Sequence, residues 1–186
     1  MADEVWLLRH AETEWSRNGR HTGRTDIPLT DEGREVAKAL RARLEGQAFA
    51  LVLCSPLSRA RETARLAGLE CSGVRDDLLE WDYGEYEGIT TPEIREQRPD
   101  WYLWTDGAPG GESPDDVAAR CDRVIAEARA VTGDVALVAH GHILRALGAR
   151  WVDQPVALGG RLHLGTGSIS VLGYEREVSS ISRWNG

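Results

Sequence analysis

The chain has 186 residues, 41% of them hydrophobic and 28% charged, with a formal net charge of -8 at pH 7. This balance excludes a disordered chain and a membrane span, and without a Lys/Arg run it excludes general nucleic-acid binding, which needs basic surface to release counterions. One domain covering residues 1–186 is expected, because no Pro/Ser-rich linker, repeat or low-complexity tract divides the chain.

In chain order, the apolar run Leu7-Leu8 stops abruptly at Arg9-His10. A polar, turn-rich segment follows to Pro28. Thr30 then predicts an N-cap with the acidic first turn Asp31-Glu32, and Val36, Ala39, Leu40 and Leu44 give a helical stripe ending near Gly46. Ala50 to Cys54 predicts a second strand that runs into Ser55-Pro56-Leu57-Ser58-Arg59, with a helix from Leu57 to Ala67 closed by Gly68. A short strand is expected around Val74. From Asp76 to Glu112 the chain reads as irregular and aromatic, with a turn at Gly107-Ala108-Pro109-Gly110-Gly111. Ser113-Pro114 supplies an N-cap and a first-turn proline for a helix to Val131. Val135 to Ala139 predicts a strand that meets His140-Gly141-His142, and Ile143 to Trp151 a helix. Ser168 to Tyr174 and Val178 to Trp184 then predict a hairpin that turns at Glu175-Arg176-Glu177. Strands alternating with helices imply a three-layer α/β/α domain, with a mainly parallel sheet and an antiparallel edge.

Cys54, Cys71 and Cys121 form no C-x-x-C pair and leave one over, which suits a reducing compartment better than a disulfide framework. The acidic start Met1-Ala2-Asp3-Glu4 and the short apolar run after it do not resemble a signal peptide, so a cytoplasmic location is expected. The seven Trp residues are read as packing residues.

Three apolar runs thus end in Arg9-His10, Ser55 to Arg59 and His140-Gly141-His142. If they are neighbouring parallel strands, their carboxyl ends lie side by side, where open α/β sheets bind ligands. A phosphoryl group needs its equatorial oxygens neutralised, which planar guanidinium forks do well, and Arg9 and Arg59 are the candidates. A neutral imidazole is the strongest nucleophile available there without a metal, which assigns the attack on phosphorus to His10.

Leu8-Arg9-His10-Ala11-Glu12-Thr13, Ser55 to Thr63 and Ala139-His140-Gly141-His142 together resemble the histidine phosphatase superfamily, which includes the cofactor-dependent phosphoglycerate mutases. The resemblance implies a phosphoglycerate mutase-like fold. It makes His10 the phosphohistidine and gives Arg9, Arg59 and His140 the task of holding the phosphoryl oxygens. Ala11 departs from the glycine usual in that motif. Leu79-Glu80-Trp81-Asp82-Tyr83-Gly84 resembles the segment that carries the proton donor, which places Glu80 in that role. An alkoxide is a poor leaving group, so some acid must protonate it. Thr22-Gly23 and Ser16 stand where relatives contact substrate. His21, Gly141 and His142 adjoin the motifs and are candidate pocket residues, whereas His163 is read as structural. Glu112-Ser113 resembles a recurring family motif, although a turn and an N-cap explain it almost as well.

Three rivals are weaker. A cysteine phosphatase needs five residues between Cys and Arg, and only four separate Cys54 from Arg59. A mutase uses extra chain to close over its phosphohistidine, yet only the 32 residues 81–112 separate Glu80 from Ser113. An inactive phospho-ligand binding module would be expected to have lost one of the five core residues. A phosphatase is therefore expected, with phosphoglycerate mutase as the alternative. Further resemblance to sedoheptulose-bisphosphatase-like and broad-specificity acid phosphatases implies a small-molecule sugar phosphate or phosphorylated sugar acid as substrate. Arg24, Arg95 and Arg98 are candidates for a second anionic group, but each is read first as a surface charge. The scheme needs no metal or cofactor and no nucleic-acid or membrane partner, and it is compatible with a homodimer.

Overall fold

Val5, Trp6, Leu7 and Leu8 are all buried, as a strand covered on both faces requires. In the computed structural model, which describes residues 3–186, they form β1 (Val5–Arg9). A loop carrying the short α1 (Glu14–Asn18) leads to α2 (Asp31–Arg43), where the Thr30 side chain accepts from the Gly33 amide as the N-cap. Then come β2 (Phe49–Cys54), α3 (Ser58–Leu66) and a two-residue β3 (Gly73–Val74). The segment expected to be irregular contains single 3-10 turns at Asp76–Leu78 and Gly84–Tyr86, followed by α4 (Thr91–Gln97) and α5 (Leu103–Asp106). The Thr90/Glu93 capping box and Pro92 mark the start of α4, but a seven-residue helix is too short to display an apolar stripe. The chain ends with α6 (Pro114–Arg129), β4 (Asp134–Ala139), α7 (Gly141–Trp151), β5 (Ile169–Glu175) and β6 (Val178–Arg183). Arg176, at the hairpin turn, takes φ 57°.

The sheet order is β3-β2-β4-β1-β5-β6. Its first four strands are parallel, and β5 and β6 add the antiparallel edge. Leu7, Leu53, Val135 and Leu137 face a core shared with α6, α7 and the tryptophans Trp81, Trp101, Trp104 and Trp151. Leu8, Val52, Ala136 and Val138 face the other layer, with Leu40 of α2 and Ala60 and Ala64 of α3. Because β4 lies between β1 and β2, with Arg9 opposite Ala139 and Cys54 opposite Val138, the three strand ends emerge together.

Cys54 and Cys71 are joined by a disulfide, with Cα atoms 6.1 Å apart, which corrects the expectation of free cysteines. Helix α3 sends the chain back past the end of β2, where Ser72 N donates to Val52 O and Arg75 N to Cys54 O, so the two side chains meet. Cys121 is buried and free. None of the described helices is long and apolar enough to cross a membrane.

Candidate active site

His10 follows β1, and its amide donates to Ala139 O, which brings it level with the end of β4. Its Nδ1 lies 2.7 Å from Ala11 O. A carbonyl only accepts, so Nδ1 carries the proton and Nε2 keeps its lone pair. Burial, then the charges of Arg59 and Arg9, hold the His10 pKa well below 6.5, so the ring is neutral. The loop is fixed by Ala11 N, which donates to Thr63 Oγ1 at 3.0 Å. The Ala11 methyl packs with Leu29 and Ala37 and does not line the cavity, so the departure from glycine leaves the pocket unobstructed.

Arg59 is fully buried. Its guanidinium donates to the carbonyls of Thr25 (2.8 Å), Thr22 (3.1 Å) and Gly23 (3.1 Å), and its Nε donates to His140 Nδ1 at 3.1 Å. His140 therefore holds its proton on Nε2, which donates to Ser55 Oγ at 2.7 Å. The imidazoles of His10 and His140 have ring centroids 5.1 Å apart, and burial and Arg59 hold the His140 pKa well below its usual value too.

A cavity of about 270 Å³ opens over His10, lined by Arg9, Ser16, Arg20, His21, Thr22, Glu80, Tyr83, Thr91, Gly141, His142 and Arg145 among others. Arg9 donates through Nη1 to Leu164 O, and its buried Nε has no hydrogen-bond partner. Glu80 is held at the start of α7: Oε1 accepts from the amides of Trp81 (2.9 Å) and Ile143 (2.8 Å), and Oε2 from that of His142 (2.9 Å). Tyr83 is hydrogen-bonded through its hydroxyl to His142 Nδ1, and burial raises its pKa well above the usual value, so the phenol stays protonated.

Of the residues expected from sequence, Arg9, His10, Glu80, Ser16, Thr22, His21, Gly141 and His142 line this cavity, and Arg59 and His140 lie directly behind His10. Gly23 does not line it. Its amide is bound by Glu87, 2.9 Å to Oε1, and a Cβ there would come within 2.7 Å of Trp81 O. Ser16 Oγ is engaged in the N-cap of α1, accepting from Thr13 N and donating to Thr13 O. The three arginines considered for a second anion do not line this cavity: Arg24 pairs with Asp82, Arg98 donates to Tyr86 OH, and Arg95 donates to Trp101 O and lines a smaller neighbouring cavity that shares His21, Thr91 and His142 with it. The cavity instead recruits Arg20 and Arg145, which sit outside every recognisable motif, together with Tyr83 and Thr91. The Arg145 guanidinium stacks 4.7 Å from the Trp104 ring centroid, its Nε donates to Gly159 O at 2.8 Å, and burial lowers its pKa. Among the described residues, no group of three or more His, Cys, Asp and Glu side chains is placed to hold a metal ion.

Two neutral imidazoles, two buried guanidinium groups and a carboxyl group thus meet at the carboxyl ends of a parallel sheet, an arrangement whose charge suits an anionic ligand. Residues 5–186 match the histidine phosphatase superfamily (branch 1), and the chain belongs to that superfamily. It is 48% identical over 181 residues to an acid phosphatase of Mycobacterium tuberculosis, covering 95% of this chain and 89% of that one. It is 34% identical over 179 residues to the sedoheptulose 1,7-bisphosphatase of Saccharomyces cerevisiae, covering 78% and 66%. A mycobacterial glucosyl-3-phosphoglycerate phosphatase, solved in complex with VO3, superposes with a TM-score of 0.88 at 32% identity and covers 99% of both chains. The chain is a phosphoric monoester hydrolase on a phosphoglycerate mutase-like fold.

Proposed function

We propose that this enzyme hydrolyses small phosphomonoesters, sugar phosphates or phosphorylated sugar acids, through a phosphohistidine on His10. The observation that carries the reading is the neutral His10 ring, its Nδ1 proton committed to Ala11 O, lying over a cavity that also presents Arg9 and Glu80. The positive charge of Arg9 at the cavity wall supports an anion there. In the first half-reaction His10 Nε2 attacks phosphorus and the ester P–O bond breaks. Its electron pair stays on the leaving oxygen, which takes a proton from Glu80. In the second, Glu80 accepts a proton from water as the water oxygen attacks phosphorus, and the N–P electron pair returns to His10. Arg9 neutralises the phosphoryl group directly. Arg59 adds its charge from behind, and it contacts a phosphoryl oxygen only by exchanging one of its carbonyl bonds to Thr22, Gly23 or Thr25. No metal is required by this scheme.

Arg20 and Arg145 sit at the cavity wall, where the remainder of the substrate must lie. They favour a substrate with a second anionic group, and the names of the yeast and mycobacterial relatives, a sugar bisphosphatase and a glucosylphosphoglycerate phosphatase, agree with that class. Rapid quench into alkaline SDS after mixing with a 32P-labelled sugar phosphate tests the mechanism. An acid-labile label on His10, absent in His10→Ala, is expected, and phosphate release by His10→Ala at the wild-type rate would overturn it. Incubation with 3-phosphoglycerate and a bisphosphoglycerate primer separates hydrolase from mutase, because a mutase isomerises without releasing phosphate.

A further inference from the structure

Glu80 lies between two single 3-10 turns, Asp76–Leu78 and Gly84–Tyr86, so no regular element of its own fixes its backbone. A buried ion pair outside the cavity bonds to that backbone. Arg120, on α6, donates through Nη1 to Asp77 O (2.7 Å) and Leu79 O (2.9 Å), and through Nη2 to the carbonyl of Glu80 itself (3.4 Å). The same guanidinium grips Glu112 with both faces of its fork, Nε to Oε1 at 2.7 Å and Nη2 to Oε2 at 2.8 Å. Glu112 holds the strand of chain beyond Glu80: Oε2 accepts from Asp82 N (2.9 Å), its carbonyl from Trp81 Nε1 (2.9 Å), and its amide donates to Asp82 O (3.0 Å).

We propose that the Glu112–Arg120 pair is a positioning device that sets the Glu80 carboxyl group for proton transfer to the leaving oxygen. Stability alone does not call for it. The side chains are only 15% and 9% exposed, and a well-packed apolar pair commonly serves as well as a buried ion pair, whose desolvation offsets its attraction. What the pair contributes is direction: Arg120 bonds to the carbonyls of Asp77, Leu79 and Glu80, Glu112 bonds to the backbone of Asp82, and the residue held between them lines the cavity. Misplacing a reacting group by about 1 Å can cost roughly 100-fold in rate. The inference rests on the reading of Glu80 as proton donor.

The test uses the leaving group. Glycerol 3-phosphate releases an alkoxide that needs a proton, whereas 2,4-dinitrophenyl phosphate releases a phenolate that does not. Values of kcat/KM are measured for both esters in wild type, Glu80→Gln, Arg120→Lys and Glu112→Gln. This parameter covers steps through formation of the phosphohistidine, and the ratio of the two esters is independent of how much of a variant is folded. We expect Arg120→Lys and Glu112→Gln to lower kcat/KM about tenfold or more for the alkyl ester. For the aryl ester we expect a change of no more than about threefold, with Glu80→Gln more selective still. If Glu80→Gln affects both esters equally, the proton-donor reading fails. If Glu80→Gln is selective while Arg120→Lys and Glu112→Gln leave the ratio at its wild-type value, the positioning role alone is overturned.

Discussion

Arg59 Nε donates to His140 Nδ1 across 3.1 Å, and that bond decides which nitrogen of a fully buried imidazole keeps its proton. The proton on Nε2 then has one acceptor, Ser55 Oγ. Ser55→Ala leaves a buried N–H without a partner, which costs about 1–3 kcal/mol. Urea unfolding should show that loss, and an unchanged midpoint would show that His140 finds another acceptor.

His10 should remain neutral far into acid. Burial and two cations disfavour its protonated form, so the proposed nucleophile is lost only when the pH falls well below the ordinary histidine value of 6.5. Imidazole NMR signals followed from pH 8 downwards should show His10 titrating well below 6.5 or not at all before unfolding. A midpoint at or above 6.5 would contradict the electrostatic picture.

Stability should move with pH in a defined sense. Burial pushes His21 down to about 4 from 6.5, so between those values the unfolded chain binds a proton that the folded chain refuses. Stability is therefore complete above pH 6.5 and declines as the pH falls towards 4, with His21 contributing a loss on the order of 3 kcal/mol. His21→Gln, which retains a donor for Thr91 Oγ1, should match wild type at pH 7 after its packing loss is subtracted and decline less steeply in acid. Parallel curves in chemical denaturation would remove His21 as a contributor.

Arg145→Met keeps much of the apolar stem against Trp104 and removes the charge. It should raise KM about tenfold or more for a sugar bisphosphate or a phosphorylated sugar acid, the weight of a charge-assisted hydrogen bond, while changing a simple monophosphate little. Equal effects on both classes would argue that Arg145 serves the phosphoryl group under attack or the fold itself.

The Cys54–Cys71 bridge closes a loop with a sequence separation of 17, for which chain entropy predicts about 3 kcal/mol of stabilisation. Cys71→Ser, or reduction of the wild type, should lower the urea midpoint accordingly. No change on reduction would mean that the bridge constrains little in the unfolded chain.

Leu7-Leu8, Ala50 to Cys54 and Val135 to Ala139 were legible as strands because a strand buried on both faces is an unbroken apolar run, and each ends in polar groups that are costly to bury unpaired. Thr30 and Ser113 were legible as helix starts because capping is a contact within four residues, and the structure shows both caps. The stretch from Asp76 to Glu112 was not, since its helical pieces span only three to seven residues and leave no period in the sequence, and the Asp76–Leu78 turn packs on α6, far along the chain.

The sequence by itself determined which groups could do the chemistry, because nucleophile, cation and acid are properties of His10, Arg9, Arg59 and Glu80 wherever they lie. Only the tertiary structure decided their states and neighbours. The tautomer of His140, the gathering of Arg20 and Arg145 at one cavity, the Cys54–Cys71 bond and the grip of Arg120 on the Glu80 backbone all join residues distant in the chain. A hydrogen bond or a desolvated charge depends on separation in space, and the order β3-β2-β4-β1-β5-β6 sets those separations.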